Sequence, residues 1–394
     1  MINRDRCPLR TPFRSSLHHT SLLPKTQVSR LFIQAILRNM VPKTQRQWVI
    51  HGSNGFDSLE FQKEAPVPSI GDQDVLVQIH ATSLNFRDLV IPKGLYPFPL
   101  KDGIVPLSDG AGIVVAVGSR VSRFNVGDRV ATLVHQRHLA GPLDARGRES
   151  ALGGQLSGVL REYAAFPEDG LVAVPNNLTL NEAAALPCAA LTAWSALYGL
   201  EGRALKPGEI VLTEGTGGVS SFAVQFAKAA GARVIATTSS AEKAEQLKKL
   251  GADHVINYKE NPEWGQLAKS LTPNNEGVSL VVEVGGSSTA RQALAALKLN
   301  GLISMVGSIS AFTSPGSNDT KEPTFLETVI HTCTVQGISI GSRMQFESMN
   351  RAIEVNDLHP ILDARIFKLE EAREAYQYVW DQKHFGKVVI QVAS

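Results

Sequence analysis

The spacing of apolar positions changes near residue 170, and the change separates two kinds of structure. Before it, short alternating runs such as 74–80 and 112–118 are divided by Gly, Pro and Asp, the pattern of strands with one wet face joined by turns. After it, wholly apolar runs alternate with helical stretches. Residues 209–214 predict a buried strand, a glycine turn follows, and apolar residues at 219, 222, 223, 226, 227 and 230 predict one face of a helix. Residues 232–238 predict a second strand. Ser239 with Glu242 reads as a capping box for a helix over 241–250, closed by Gly251, and 253–258 predicts a third strand. The alternation continues with a strand at 277–285, a helix at 289–299 and a strand at 301–307. Such a run specifies an α/β fold with a doubly wound parallel sheet. Beyond it come a strand at 333–340, helices at 344–355 and 369–382, and a final strand at 387–392. Four segments are therefore expected: an extension over 1–45, a β-rich domain over 46–170, the doubly wound domain over 171–330, and a return to the β-rich domain over 331–394.

The glycine turn points to a dinucleotide. Gly215 permits the tight turn, Gly217 lets the backbone approach a pyrophosphate, and the helix opening at Gly218 and Val219 aims free amides and a positive dipole end at it. Ser220 stands where a third glycine is usual, so helix and strand are expected to pack slightly further apart. An acid about 20 residues on would bind a ribose hydroxyl and repel a 2′-phosphate. That place holds Thr237, Thr238, Ser239 and Ser240, with Lys243 one turn into the helix. Hydroxyls and an ammonium without a carboxylate suit a phosphate, which predicts NADP(H) and not NAD(H). The missing acid also argues against a methyltransferase.

Net charge is +2, and much of it lies in the first 40 residues, where Arg4, Arg6, Arg10, Arg14, Arg30 and Arg38 face one acid, Asp5. The remainder is nearly balanced and lacks a basic cluster interleaved with aromatics, so no nucleic-acid partner is expected. No apolar run approaches the roughly 20 residues that span a bilayer, so no membrane partner is expected either. Cys7, Cys188 and Cys333 are too few and too scattered for a disulfide framework or structural zinc knuckle. The arginine-rich leader has transit-peptide composition, yet Met40 reads equally well as a start. A mitochondrial or a cytoplasmic location follows accordingly.

Several motifs occur in fixed order: Asn85, Phe86, Arg87 and Asp88; Gly94, Leu95, Tyr96 and Pro97; residues 106–112; Gly127, Asp128, Arg129 and Val130; residues 186–194; and the glycine turn. By these the chain resembles the medium-chain dehydrogenase/reductase superfamily over roughly residues 46–394. The resemblance implies a Rossmann domain inserted into a GroES-like catalytic domain. It also implies dimers joined through the edge of the Rossmann sheet, for which the strand at 302–306 is the expected edge.

A zinc-dependent member would place a Cys near Asn85, a His-Glu pair near Ser108 and Asp109, and a second Cys at Cys188. Only Cys188 is present, one ligand where catalytic zinc needs three, and 135–162 carries no four-cysteine lobe. His135 and His138 are read as solvated loop residues, and no metal is expected. Without a metal, oxidising an ordinary alcohol lacks a group to ionise the hydroxyl. Delivering hydride to an enone or quinone needs only hydrogen-bond donors for the developing oxyanion. This is similar to the zinc-free quinone oxidoreductase and enoyl reductase branches, including reductase modules of polyketide and fatty-acid synthases. The resemblance implies that Tyr96 donates to the enolate oxygen, that Asn85 bonds near the nicotinamide ribose or substrate, and that Asp88 orients the loop. Tyr96 also fits a packing role, and Asp88 also fits a helix cap or a partner for Arg87. Thr192 is expected to face nicotinamide or pyrophosphate, Tyr258 to edge the adenosine phosphate, and the amides of Gly341 and Ser342 to touch cofactor or small-molecule substrate. An alcohol dehydrogenase and a non-catalytic NADPH-binding protein remain as alternatives.

Overall fold

The computed structural model describes residues 41–307 and 323–393. The β-rich part begins with an antiparallel pair, β1 (Thr44–Ile50) and β2 (Leu59–Pro66). It continues through β3 (Asp74–Ser83), β4 (Asp109–Val117), β5 (Arg129–Thr132), β6 (Tyr163–Pro167) and β7 (Leu171–Ala173). A Cβ on Gly112 of β4 would lie 2.0 Å from the Gln78 carbonyl oxygen, so glycine is required where β4 crosses β3.

Six parallel strands follow: β8 (Ile210–Glu214), β9 (Arg233–Thr238), β10 (His254–Asn257), β11 (Val278–Glu283), β12 (Leu297–Met305) and β13 (Thr334–Gly337). Their order is β10-β9-β8-β11-β12-β13, so the winding reverses between β8 and β11, the point at which a doubly wound sheet binds its ligands beyond the strand ends. Val211, Leu212, Val234, Ile235, Val281 and Val282 are buried, as a sheet covered on both faces requires. The helix Gly218–Ala229 lays Phe222, Ala223, Phe226 and Ala227 onto the sheet and stops at Gly231, which takes φ +74°. Each Phe so buried contributes about 1.5–3 kcal/mol.

The C-terminal strands β14 (Phe367–Lys368) and β15 (Val389–Gln391) complete the other sheet, ordered β14-β15-β3-β4-β5-β7 with β6 also pairing β3. Val389 pairs with Ser83, which brings the last strand beside the segment that opens the helix Phe86–Val90. One apolar cluster joins the two parts: Ala81, Ala111, Ala131 and Leu133 pack with Leu186, Ala190 and Leu191 against Val211, Phe222 and Phe226. No helix among the described residues is long and apolar enough to cross a membrane.

Several expectations need correction. The outer strand of the parallel sheet is β13, not the strand at 302–306, because Leu302 pairs with Thr334 and covers that flank. Residues 334–337 therefore still belong to the doubly wound sheet. The return begins with the helix Arg343–Val355, where the Asn350 side chain donates to the Ala173 carbonyl at 2.9 Å. The helix expected over 289–299 spans Ala290–Ala296, since Leu297 already pairs with Val278 and Asn300 bends the chain at φ 59°. The cap of the helix Ala241–Lys249 is Ser240, not Ser239: the Ser240 hydroxyl accepts from the Lys243 amide. His135 and His138 are both buried rather than solvated. The leader and residues 308–322 lie outside the described residues.

Candidate active site

The glycine turn lies at the reversal of the winding. Gly215 takes φ +75°, and its amide donates to the Thr237 carbonyl at 2.9 Å, tying the turn to β9. A Cβ on Gly215 or Gly217 would meet nothing within 4 Å, so open space stands over both, as a pyrophosphate requires. Gly218 differs: its Cβ would sit 2.6 Å from Lys387 Cδ and 3.0 Å from Ala189 Cβ, so it serves close packing while its amide, with that of Val219, opens the helix. The Ser220 hydroxyl donates to the Glu214 carbonyl at 2.6 Å, which accommodates the departure from glycine by a hydrogen bond to the strand end.

At the end of β9, Ser239 is half-buried and the Tyr258 amide donates to the Thr238 carbonyl at 3.0 Å, so Tyr258, partly exposed, flanks the same corner. Lys243 reaches over it to the His384 carbonyl at 3.4 Å. Burial, and then Lys243, push the His384 imidazole down to about 4, so that ring is neutral and the positive charge of the corner is Lys243. Thr192 is buried in the first turn of the helix Leu191–Tyr198. Gly341 packs on that helix, with a Cβ position only 2.5 Å from Ser195 Oγ. Ser342 is a correction. Its hydroxyl accepts from the Gln345 amide and its own amide donates to Gln345 Oε1 at 2.8 Å, so both groups are committed to a helix cap.

Across the cleft, Asn85 precedes the helix Phe86–Val90, and Asp88 Oδ2 accepts from the Asn85 amide at 2.8 Å. Asp88 therefore closes a capping box on Asn85, the N-cap residue. Burial, opposed by Arg87 and reinforced by Asp109, pushes its carboxyl up to about 6. Arg87 donates to the Leu152 carbonyl at 2.8 Å, and its guanidinium lies 5.3 Å from the Tyr96 ring centre. Burial alone would lower Arg87, but Tyr96, Asp88 and Cys188 together leave it raised and firmly charged. Tyr96 rests edge-on against Phe98 and packs on the core of the β-rich part.

Sequence reasoning missed the centre of this cluster. Lys387, 3% exposed, donates to the Leu84 carbonyl at 2.6 Å and Asn85 Oδ1 at 2.6 Å, and pairs with Asp109 Oδ2 at 3.4 Å. The signal available was a lysine opening an otherwise apolar strand, a place where charge is retained only if paired. Burial, and then the Asp109 carboxylate, push the neighbouring Cys188 thiol up to about 12, so it is a poor ligand or nucleophile. Among the described residues, no group of three or more His, Cys, Asp or Glu is placed to hold a metal. His135 also faces this cluster, its imidazole pushed down to about 4 by burial, then by Arg87 and His138.

A second buried pair underlies the turn. Glu214 Oε2 accepts from the amides of Val284 and Gly285 at 3.3 Å, while Glu283 Oε1 accepts from the Gly286 amide at 2.8 Å and the Thr289 hydroxyl at 2.7 Å. Burial, and then the Glu283 carboxylate, hold the Glu214 carboxyl well above the ordinary range. The fold thus prefers neutral Glu214. A carboxyl whose folded pKa is raised loses its stabilising contribution as pH rises above the unfolded value and through the folded one. Glu214→Gln keeps a neutral donor and acceptor there, so it is expected to be more stable than the parent by on the order of 1 kcal/mol at pH 8, with the gain vanishing in acid. Thermal melts from pH 4 to 9 measure this, and a gain independent of pH would refute the assignment.

Two family models match the chain: the alcohol dehydrogenase GroES-like domain over residues 71–176 and the zinc-binding dehydrogenase over 218–354. The zinc-type alcohol dehydrogenase-like protein C1773.06c of Schizosaccharomyces pombe is 43% identical over 347 residues, 88% of this chain and 99% of that protein. The chloroplastic NADPH-dependent alkenal/one oxidoreductase of Arabidopsis thaliana is 36% identical over 57% of this chain and 55% of its own. A crystal structure of a provisionally assigned alcohol dehydrogenase from Sinorhizobium meliloti 1021 superposes with a TM-score of 0.80 at 37% identity, covering 90% of this chain and all of that one.

Proposed function

Because the chain belongs to the medium-chain dehydrogenase/reductase superfamily of pyridine-nucleotide-dependent oxidoreductases, we propose that it reduces an activated C=C or a quinone with NADPH and without a metal. The observation that carries this reading is the Lys387 ammonium, held among Asn85, Asp109 and the Leu84 carbonyl beside Cys188. Zinc does not fit such a donor set. One thiol is disfavoured as thiolate, the carboxylate is already paired, and a resident cation would repel a second. The reduced cofactor, with its pyrophosphate over the glycine turn, would supply the hydride, and water would supply the proton that completes the reduction. The protein's part is to polarise the substrate oxygen: Tyr96 donates a hydrogen bond to it, and Arg87 beside the Tyr96 ring keeps the local potential positive as charge develops. The Arabidopsis relative, an NADPH-dependent alkenal/one oxidoreductase, supports the same substrate class.

Mixing the purified protein with NADPH and a panel of enones, enals and quinones tests the reading through loss of the nicotinamide absorbance. Cofactor binding without consumption across the panel would favour the non-catalytic alternative. Stoichiometric zinc, with alcohol oxidation that disappears on its removal, would favour an alcohol dehydrogenase. The preference for NADPH rests on Lys243 and on the absence of a carboxylate at the end of β9. Lys243→Ala is expected to raise KM for NADPH about tenfold to a hundredfold, the worth of one charge-assisted hydrogen bond, and to leave KM for NADH unchanged. Equal effects on both cofactors would remove the 2′-phosphate role.

The homodimer expected from the family is proposed at β13. Val335 on that edge strand and Leu326, Val329 and Ile330 on the neighbouring helix Leu326–Ile330 are all exposed, an apolar surface beside an unpaired strand edge. The protein is expected to sediment at twice its 42.5 kDa chain mass, and Val329→Asp at that mass alone. A parent that sediments as a monomer would remove the proposal.

A further inference from the structure

We propose that Lys387 is a positioning residue whose ammonium fixes the Asn85 amide with its N–H toward the reacting groups; this deepens, and rests on, the reductase reading. An ammonium has three donors and no acceptor, and here each donor has one oxygen: the Leu84 carbonyl, Asn85 Oδ1 and Asp109 Oδ2. Two consequences follow. The Asn85 atom facing Lys387 must be the oxygen, because the amide nitrogen would set donor against donor. The remaining Asn85 atom, Nδ2, has no partner within the protein, which makes it a buried donor available to an acceptor in the cleft.

The surroundings keep Lys387 in this role. Its stem lies against Gly218, so the side chain passes the glycine turn before its head reaches Asn85. A single parallel bridge between Gly217 and Gly386 ties the segment that leads into the last strand to the turn. Asp109 is fully buried, and the Ser108 hydroxyl donates to it at 3.0 Å, so the carboxylate that neutralises Lys387 is itself fixed. With all three N–H groups occupied inside the protein, Lys387 acts on the reaction through Asn85 and not by holding a phosphate.

Lys387→Met, Asn85→Ala and the double variant test this against NADPH and an accepted enone. Each single change is expected to lower kcat about tenfold to a hundredfold, the usual cost of losing an orienting partner, and to leave KM for NADPH within twofold. The double variant is expected to be no slower than the slower single, because the two residues act as one unit. Asn85→Asp still accepts from Lys387 but presents no N–H, so it should melt with the parent and lose turnover as Asn85→Ala does. A Lys387→Met variant with raised KM for NADPH and unchanged kcat would make the lysine a cofactor-phosphate contact and overturn the proposal, as would additive losses. If Lys387→Met does not fold because Asp109 is left unpaired, Lys387→Met/Asp109→Asn carries the same expectation in a neutral cavity. A parent that consumes no NADPH with any substrate would count against the reductase reading. The inference is then decided by the exchange of the Asn85 side-chain amide protons with NADP bound, which should be slow in the parent and at least tenfold faster in Lys387→Met; equal rates would sink it.

Discussion

Tyr96→Phe is expected to lower kcat with an enone about a hundredfold while leaving NADPH binding within twofold. The magnitude is that of removing one hydrogen-bond donor from an oxyanion site, about a hundredfold to a thousandfold. The structure makes this a clean substitution. The ring is held by Phe98 at 5.3 Å between centres, by Arg87 at 5.3 Å, and by the apolar core beneath it; phenylalanine keeps these ring contacts and gives up only the approach of Arg87 to the Tyr96 oxygen. The fold therefore loses only a hydroxyl, and thermal stability should move by less than about 1 kcal/mol. Single-turnover absorbance traces separate the two quantities: the amplitude reports bound NADPH and the rate reports hydride delivery. If Tyr96 is only the packing aromatic of a turn, the variant will turn over like the parent, and the oxygen-polarising role passes to the Asn85 amide and Arg87.

What the sequence makes legible here is local. The doubly wound order, the glycine turn and the amphipathic face of the helix Gly218–Ala229 depend on residues within one turn or one strand of each other, and periodicity records them directly. The misses are of a different kind. Lys387 meets Asn85 across 302 positions of chain, and Glu214 reaches Gly285 across 71, so neither pair leaves a periodic trace. His135 and His138 look like loop residues because burial in a loop is decided by what folds over it. The edge of the parallel sheet was misplaced for the same reason: β13 is recognisable as a strand, but its pairing with β12 is a matter of register between segments about thirty residues apart. The shift from Ser239 to Ser240 as helix cap is smaller in scale. Two adjacent serines carry equal propensity, and only the extended backbone at Ser240 selects between them.

These distinctions decide what each glycine of the turn can reveal, and Gly217→Val should give the largest effect on cofactor binding. Gly217 has φ −71°, which any residue adopts, and nothing lies within 4 Å of its Cβ position, so the substitution should leave the melting temperature of the cofactor-free protein almost unchanged. That empty volume is where a pyrophosphate bound over the turn would approach the amides of Gly218 and Val219. Losing two charge-assisted hydrogen bonds of about 1.5–3 kcal/mol each weakens NADPH binding by more than about a hundredfold. The neighbouring glycines cannot isolate this effect. Gly215→Val also strains a backbone at φ +75°, and Gly218→Val drives a side chain into Lys387 and Ala189. Thermal shift provides the check: NADPH at a hundred times its Kd should stabilise the parent by about 2.7 kcal/mol and Gly217→Val by almost nothing. A variant still fully stabilised by NADPH would mean that the phosphates do not bind over this turn, and the assignment of the crevice between β8 and β11 as the cofactor site would fall with it.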